Sequence, residues 1–328
     1  MENAQAVMAD LTSFMKSRVV LTASELDLFT KLDEKPLTAI EIAERYSFNL
    51  KGLTRVLDCL VAFGFVKKED NRYSNAEKGA FFSSRYSGTI LPMVLHFNRL
   101  WDTWSLLTDT VKGKTNRRHK VIKGSDKKNR EAFIGAMHAI GRTLSYEIAS
   151  SFDASCFERM LDIGGASGTY TMAFLSKNSK MEAVLYDLKE VIPLAKKRLE
   201  SEGFLHRVTL VAGDFYKDEL PEGCDLALLS AIIHQNSPEE NIELYTKIFV
   251  VLRPGGTLLI RDHIMDESRT NPPSGALFAI NMLVNTMGGD TYTFAEVRDT
   301  LKAAGFVDIK LVRTGEKMDC LVEAKKPV

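Results

Sequence analysis

Cysteine is scarce in this 328-residue chain, and Cys59, Cys156, Cys224 and Cys320 stand far apart. None forms the close pair that a zinc site, a redox dithiol or a disulfide framework requires, so the thiols read as reduced packing residues and no metal is expected. Net charge is lacking too, because 43 Lys and Arg balance 43 Asp and Glu. That balance removes any overall electrostatic drive toward nucleic acid or an anionic membrane and leaves a small molecule as the natural partner. No apolar run approaches the roughly 18 residues that span a bilayer. The opening MENAQAVMADLTSFMKSRVV has no basic stretch leading into an apolar one. The expectation is a cytoplasmic protein with no membrane partner. A hydrophobic share of 45% is ample for packed cores, and the length favours two domains.

From about Ala6 to Phe82 apolar residues recur at helical spacing, with Ser24 read as capping a turn ahead of Leu26, Leu28 and Phe29. LTAIEIAERY and LKGLTRVLDCLVAFG follow as helices, and GFVKKEDNRY reads as two short strands around a polar turn. This is a winged-helix pattern. Such a fold can read DNA through its second helix, but that helix offers only Lys51 and Arg55 among apolar residues, which favours subunit packing. Ser87 to about Ser150 is helical again. Within it, Lys112 to Arg130 holds nine Lys and Arg against one acid and reads as a solvated loop, since no aromatic interleaves the run.

Beyond Phe157 strands alternate with helices: RMLDIG, EAVLYDL, VTLVAG, CDLALLS, GTLLIRD, VDIKLV and DCLVEA. The first five fit a doubly wound parallel sheet, and the last two can close it as an antiparallel pair. LDIGGASG ends the first strand. Its Gly164, Gly165 and Gly168 let a turn approach a ligand, but Gly164 is followed two positions later by Ala166, which breaks the dinucleotide spacing. Asp162 also places an anion where a pyrophosphate would sit, so a cationic ligand bearing an ammonium and a sulfonium suits the loop better. Asp187, in YDL, closes the second strand where an acid accepts hydrogen bonds from ribose hydroxyls. Asp214-Phe215 closes the third, setting an acceptor for an adenine amino group beside a ring that can cover it. Each acid alone could be a helix cap, but three at successive strand ends are hard to explain as packing.

With these motifs the chain resembles the S-adenosylmethionine (SAM)-dependent O-methyltransferases of the acetylserotonin, caffeic acid and bacterial natural-product type. The resemblance also covers LRPGG, NMLVNTMGGDTYTFAEV and AAGF. It implies a Rossmann-like, doubly wound seven-stranded α/β methyltransferase sheet with an N-terminal all-helical winged-helix dimerisation domain. The dimerisation domain would span residues 1–98 and the catalytic domain 99–328, with 99–150 as a helical linker over the substrate. It implies a homodimer, SAM as donor and S-adenosylhomocysteine (SAH) as product, with Leu188 and Ser230 joining Asp162, Gly164, Gly165, Gly168, Asp187, Asp214 and Phe215 around the cofactor. His234, in IIH, falls where the family has its general base, and Asp262 where plant enzymes carry the glutamate that orients it. Phe133, Met137, Asn281, Met282 and Asn285 match positions lining the acceptor. His263, pointing away from Asp262 along the strand, reads as structural.

Three departures stand out: Gln235 and Asn236 follow the histidine in place of Asp and Trp, Ser230 replaces a basic residue, and Thr291 replaces a second glutamate. They keep open a C-methyltransferase, or a SAM-binding relative that hydroxylates, decarboxylates or runs a pericyclic reaction. A DNA-binding regulator or DNA methyltransferase is a weaker alternative. The fourth strand is followed by Ser230-Ala231-Ile232-Ile233 and lacks the D/N-P-P-aromatic grip on a flipped base.

Overall fold

The N-terminal segment forms helix α1 (Ala4–Glu25), followed by α2 (Leu28–Glu34). Ser24 caps nothing: it lies inside α1, 2% exposed, with its hydroxyl donating to Val20 O at 2.9 Å, and Asp27 in the left-handed region (φ 55°) makes the turn. The computed structural model describes residues 4–114 and 127–328. They divide into two compact units, 1–105 with 135–139 and 106–134 with 140–328.

In the first unit, strand β1 (Leu37–Thr38) leads into α3 (Ala39–Tyr46), whose start is fixed by a reciprocal cap between Thr38 and Glu41. Helix α4 (Leu50–Ala62) turns Leu53, Leu57 and Leu60 inward at helical intervals. Strands β2 (Val66–Glu69) and β3 (Arg72–Asn75) form the wing, joined through Asp70 and Asn71, both at positive φ as a tight hairpin demands. The unit is not helical throughout, because β1 pairs with β3 and makes a three-stranded sheet; two residues are too short for a period-two signal. Helices α5 (Glu77–Ala80) and α6 (Leu91–Trp104) complete it. The outer side of α1 carries Val7, Met8, Leu11, Phe14 and Met15 at 47–64% exposure.

The second unit contains α7 (Leu107–Val111) and most of α8 (Lys127–Ser150). Of the basic run Lys112 to Arg130, residues 115–126 lie outside the described residues. Then come β4 (Arg159–Ile163), α9 (Thr169–Lys177), β5 (Glu182–Asp187), α10 (Ile192–Ser201), β6 (Val208–Ala212), β7 (Cys224–Ser230), α11 (Pro238–Val251), β8 (Leu252–Asp262), β9 (Ile264–Met265), α12 (Pro273–Asn285), β10 (Tyr292–Thr293), α13 (Phe294–Ala303), β11 (Val307–Arg313) and β12 (Cys320–Lys325). The sheet has seven strands in the order β11-β12-β8-β7-β4-β5-β6. Pairing is parallel from β8 through β7, β4 and β5 to β6, and β12 runs antiparallel to both β8 and β11. Central strands buried on both faces read as continuous apolar runs, as LALL and TLLI do. One face packs on α11 and α13 through Leu244, Ile248, Val297 and Leu301; the other packs on α9 and α10 through Met172, Phe174, Ala195 and Leu199. None of the described helices is long and apolar enough to cross a membrane.

Asn178, at the end of α9, ties this unit together below the sheet. Its amide donates to Ala154 O (3.0 Å) and Phe157 O (2.9 Å), and its oxygen accepts from Lys180 N (3.0 Å) and Met181 N (3.2 Å). Asn178→Ala leaves several backbone groups unpaired and should cost at least about 2 kcal/mol in urea denaturation; an unchanged midpoint would contradict this account.

Candidate active site

The carboxyl end of β4 delivers Asp162 to the rim of the sheet at 1% exposure, where Thr171 of α9 donates to its Oδ2 at 2.5 Å. Gly164 takes φ 71°, and Gly168 opens α9 at φ 80°. A side chain on Gly165 would meet Leu185 and the Asp162 carboxyl within 3.0 Å, so the turn is pressed against the acid it follows. Burial pushes the Asp162 pKa up to about 6 despite the Thr171 bond. A dry carboxyl with one donated hydrogen bond fits a cationic group, the kind of ligand the loop predicts.

Asp187 leaves β5 beside this turn. Its Oδ2 accepts from Ala166 N (2.8 Å) and its Oδ1 from Leu188 N (2.7 Å), which clamps the glycine loop to the second strand end. Burial raises this acid to about 6 as well. Asp214 accepts from Tyr216 N at 3.2 Å, and Phe215 packs with Tyr216 at 4.5 Å between centroids. Asp162, the three glycines, Asp187 and Leu188 are therefore brought together at one corner, with Asp214 and Phe215 on the neighbouring strand end. Gly213, missed in the sequence, has no room for a side chain against Tyr186.

Ser230 ends β7, and Ala231, at φ 60°, turns the chain into a 3-10 turn, Ile233–Gln235. That turn aims His234 at Asp262, the last residue of β8. His234 Nδ1 lies 2.9 Å from both Asp262 oxygens, and Oδ1 also accepts from His263 N at 2.8 Å. Burial alone would raise the Asp262 pKa, but the His234 and Arg261 charges and the donated hydrogen bonds outweigh it and hold the carboxyl below its ordinary value. An ionised carboxylate only accepts, so Nδ1 carries a proton, and in the neutral tautomer that this bond selects the lone pair lies on Nε2. Phe278 meets the His234 ring edge-on at 4.9 Å and 87°, and its other side meets His263 at 5.1 Å. His263 is 6% exposed, and burial lowers its pKa from the ordinary value.

The departures from the family pattern have physical counterparts. Asn236 is fully buried: its oxygen accepts from Tyr216 OH, its amide donates to Asn241 Oδ1 (3.0 Å), and Asn241 donates to Ile233 O (3.0 Å). It is a bracket for the histidine turn. Gly289 is needed because a side chain there would collide with His234 O. Thr291 turns its hydroxyl to Gly275 O at 3.3 Å, away from the imidazole pair. On α12, Asn285 donates to Asn281 O (2.9 Å) and Oδ1 (3.0 Å), so these amides partly satisfy each other, while Met282 is buried. Phe133 lies half-buried in α8, and Met137 falls in the first compact unit. Phe278 was legible: with Asn281, Met282 and Asn285 it makes an i, i+3, i+4, i+7 stripe. Among the described residues no cluster of three or more His, Cys, Asp or Glu is arranged for a metal ion.

A glycine turn, acids at successive strand ends and a histidine-carboxylate pair on this sheet define a methyltransferase. Residues 104–307 match the O-methyltransferase domain, and residues 8–85 match the O-methyltransferase dimerisation domain. The chain belongs to this O-methyltransferase family, an enzyme class whose methyl donor is SAM. It is similar to acetylserotonin O-methyltransferase of Gallus gallus, 29% identical over 95% of this chain and 94% of that one. It is equally similar to the tetracenomycin polyketide synthesis 8-O-methyl transferase TcmO of Streptomyces glaucescens, 29% identical over 96% and 94%. Among solved structures, human N-acetylserotonin methyltransferase with SAM shares the fold at TM-score 0.82 and 24% identity over 100% and 99% of the two chains. PigF with SAH does so at 0.88 and 22% over 99% and 100%.

Asp187 titrates near 6 in the fold against an ordinary 3.8, so the stability it contributes is full below about pH 4 and is lost as pH rises through 6. The ligand-free protein should therefore lose more stability between pH 5 and pH 7 than Asp187→Asn does. Urea midpoints at both pH values check this; equal pH slopes in the two proteins would remove the burial cost assigned to the Asp187 carboxylate.

Proposed function

We propose that this enzyme methylates a hydroxyl of a small aromatic or natural-product-like acceptor, with His234 as general base and Asp262 as its positioning partner. The observation that carries the reading is the imidazole with Nδ1 engaged by both carboxylate oxygens. When bound, SAM supplies an electrophilic methyl on a sulfonium. Asp162, Gly164, Gly165, Gly168, Asp187, Leu188, Asp214, Phe215 and Ser230 would hold it, matching acids to its cationic and hydroxyl groups. His234 Nε2 takes the hydroxyl proton, and Asp262 stabilises the imidazolium that forms. Phe278 fixes the ring edge-on and presents apolar surface suited to a planar acceptor. Phe133, Met137, Asn281, Met282 and Asn285 would line the acceptor side. Relatives named for acetylserotonin, tetracenomycin and a hydroxylated naphthoate support a hydroxyl on an aromatic ring system.

General-base catalysis typically contributes about 10²- to 10⁴-fold. His234→Ala should thus lower turnover at least about a hundred-fold on a panel of phenols, enols and indoles with labelled SAM, leaving SAM affinity nearly unchanged. Retained turnover would reduce His234 to a positioning residue, and SAM binding with no acceptor methylated would favour the non-methylating alternative.

We further propose a homodimer built through the first 98 residues, with the exposed apolar side of α1 in the interface. Leu11→Glu with Phe14→Glu should convert the dimer to a monomer in light scattering. A dimer surviving both charges would exclude this face.

A further inference from the structure

Arg261 precedes Asp262 on β8 and stands in register with Ser230 of β7. Side chains alternate across a strand, so the two neighbours serve opposite faces. Asp262 turns to the α11 side, with Ile260; Arg261 turns to the α9 side, with Leu259. There the residue is buried, at 9% exposure. Its Nη1 donates to Ser230 Oγ at 3.3 Å, and its carbon lies 5.1 Å from the Tyr170 ring centroid. Its Nε is buried with no hydrogen-bond partner. Among the described residues no carboxylate pairs with Arg261; Glu147 and Asp319 pair with Arg313 instead. Asp262, on the opposite face of the strand, acts on Arg261 only at a distance; a buried, always-charged group with no carboxylate in contact and an unpaired Nε is costly, and such a group marks a place where a ligand supplies the missing partner.

The sign and place of that charge follow from the neighbours. Ser230 is at the rim, one strand from Asp162, since Ile163 of β4 is in register with Leu229 of β7. The charges of Asp162 and Arg261 both act on Tyr170, the second residue of the helix that leaves the glycine turn. An anion and a cation on one sheet face, both acting on one tyrosine, complement a zwitterionic amino acid, whose ammonium would go to Asp162 and whose carboxylate would go to Arg261. SAM carries such a group in its methionine moiety. We propose that Arg261 binds the α-carboxylate of the bound donor through its fork of N–H groups. It supplies from β8 the positive charge that Ser230 does not supply from β7. This rests on the SAM reading of the site.

Calorimetry with SAH and with its decarboxylated amine analogue tests it without turnover. A single charge-assisted hydrogen bond corresponds to a preference of about 10- to 100-fold, and the wild type should prefer SAH by that factor. Arg261→Gln should shrink the preference to about two-fold by weakening SAH alone, and Arg261→Lys should restore part of it. If Arg261→Gln weakens both ligands equally, the residue only packs on Tyr170 and the proposal is overturned. If the glutamine variant does not fold, the wild-type ratio and the lysine variant decide: a wild type without preference for the carboxylate overturns it. A wild type that binds neither ligand removes the SAM reading itself, a separate failure.

Discussion

The chemistry at the rim depends on where parallel strands stop. Ile163 of β4 is in register with Tyr186 of β5 and Leu229 of β7, and Ser230 is in register with Arg261 of β8. The next residues along these strands are Gly164, Asp187 and Ser230, level with Arg261, and Asp262 follows one residue further along β8, so one line across the sheet carries the turn, an acid and the entry to the histidine loop. Period-two alternation then sorts them by face. A one-residue slip in β8 would exchange Arg261 and Asp262 between the α9 and α11 sides and separate His234 from its carboxylate. The buried leucines and isoleucines of β7 and β8 prevent that slip, because it would also expose each apolar side chain to the wrong helix layer.

The same rim concentrates groups that weaken the ligand-free fold. Asp162 and Asp187 are both pushed up to about 6 by burial. Ala166 and Ala231 hold left-handed φ angles of 48° and 60°, in the cofactor turn and the histidine turn. Burial penalises the charged form of both acids, and the hydrogen bonds they accept offset it only in part. Asp262 is the contrast: equally buried, it is kept ionised by its partner within the protein. The acids with raised pKa have no ion pair with a basic side chain among the described residues.

Much of this was legible in the sequence where a signal is local. The glycine turn, the acids at strand ends and the alternation of strands with helices each follow from residue types at fixed spacing, and the antiparallel close by the last two strands agrees with that reading, with β12 seated between β8 and β11. The two-residue strand β1 was not legible, and Ser24 was misread, because a helix interior serine that bonds Val20 O looks like a cap until the preceding turn is known to be helical. Arg261 and Asn236 were invisible for another reason. Their roles depend on what lies across a strand pair or, through Tyr216, on a tyrosine twenty residues away, and no spacing rule encodes such partners. Phe278 sits between, since its stripe with Asn281 and Asn285 was in the sequence but needed the helix to start at Pro273 to be counted.

Thr291 replaces the second glutamate of the family pattern, and the geometry explains how the proposed pair is held in place without it. Both Asp262 oxygens reach Nδ1, Oδ1 is also pinned by His263 N, and Phe278 closes on the ring edge-on. From the chain side, Asn236 links Tyr216, Asn241 and Ile233, and Gly289 seats against the histidine carbonyl. Orientation of the imidazole is thus fixed by one carboxylate and a packed loop. Since holding the nucleophile and methyl in line contributes about 7 to 11 kcal/mol, against the smaller effect of the base, rigidity here matters more than a second acid. The family pattern at this position is one way of fixing the ring, and the asparagine bracket is another.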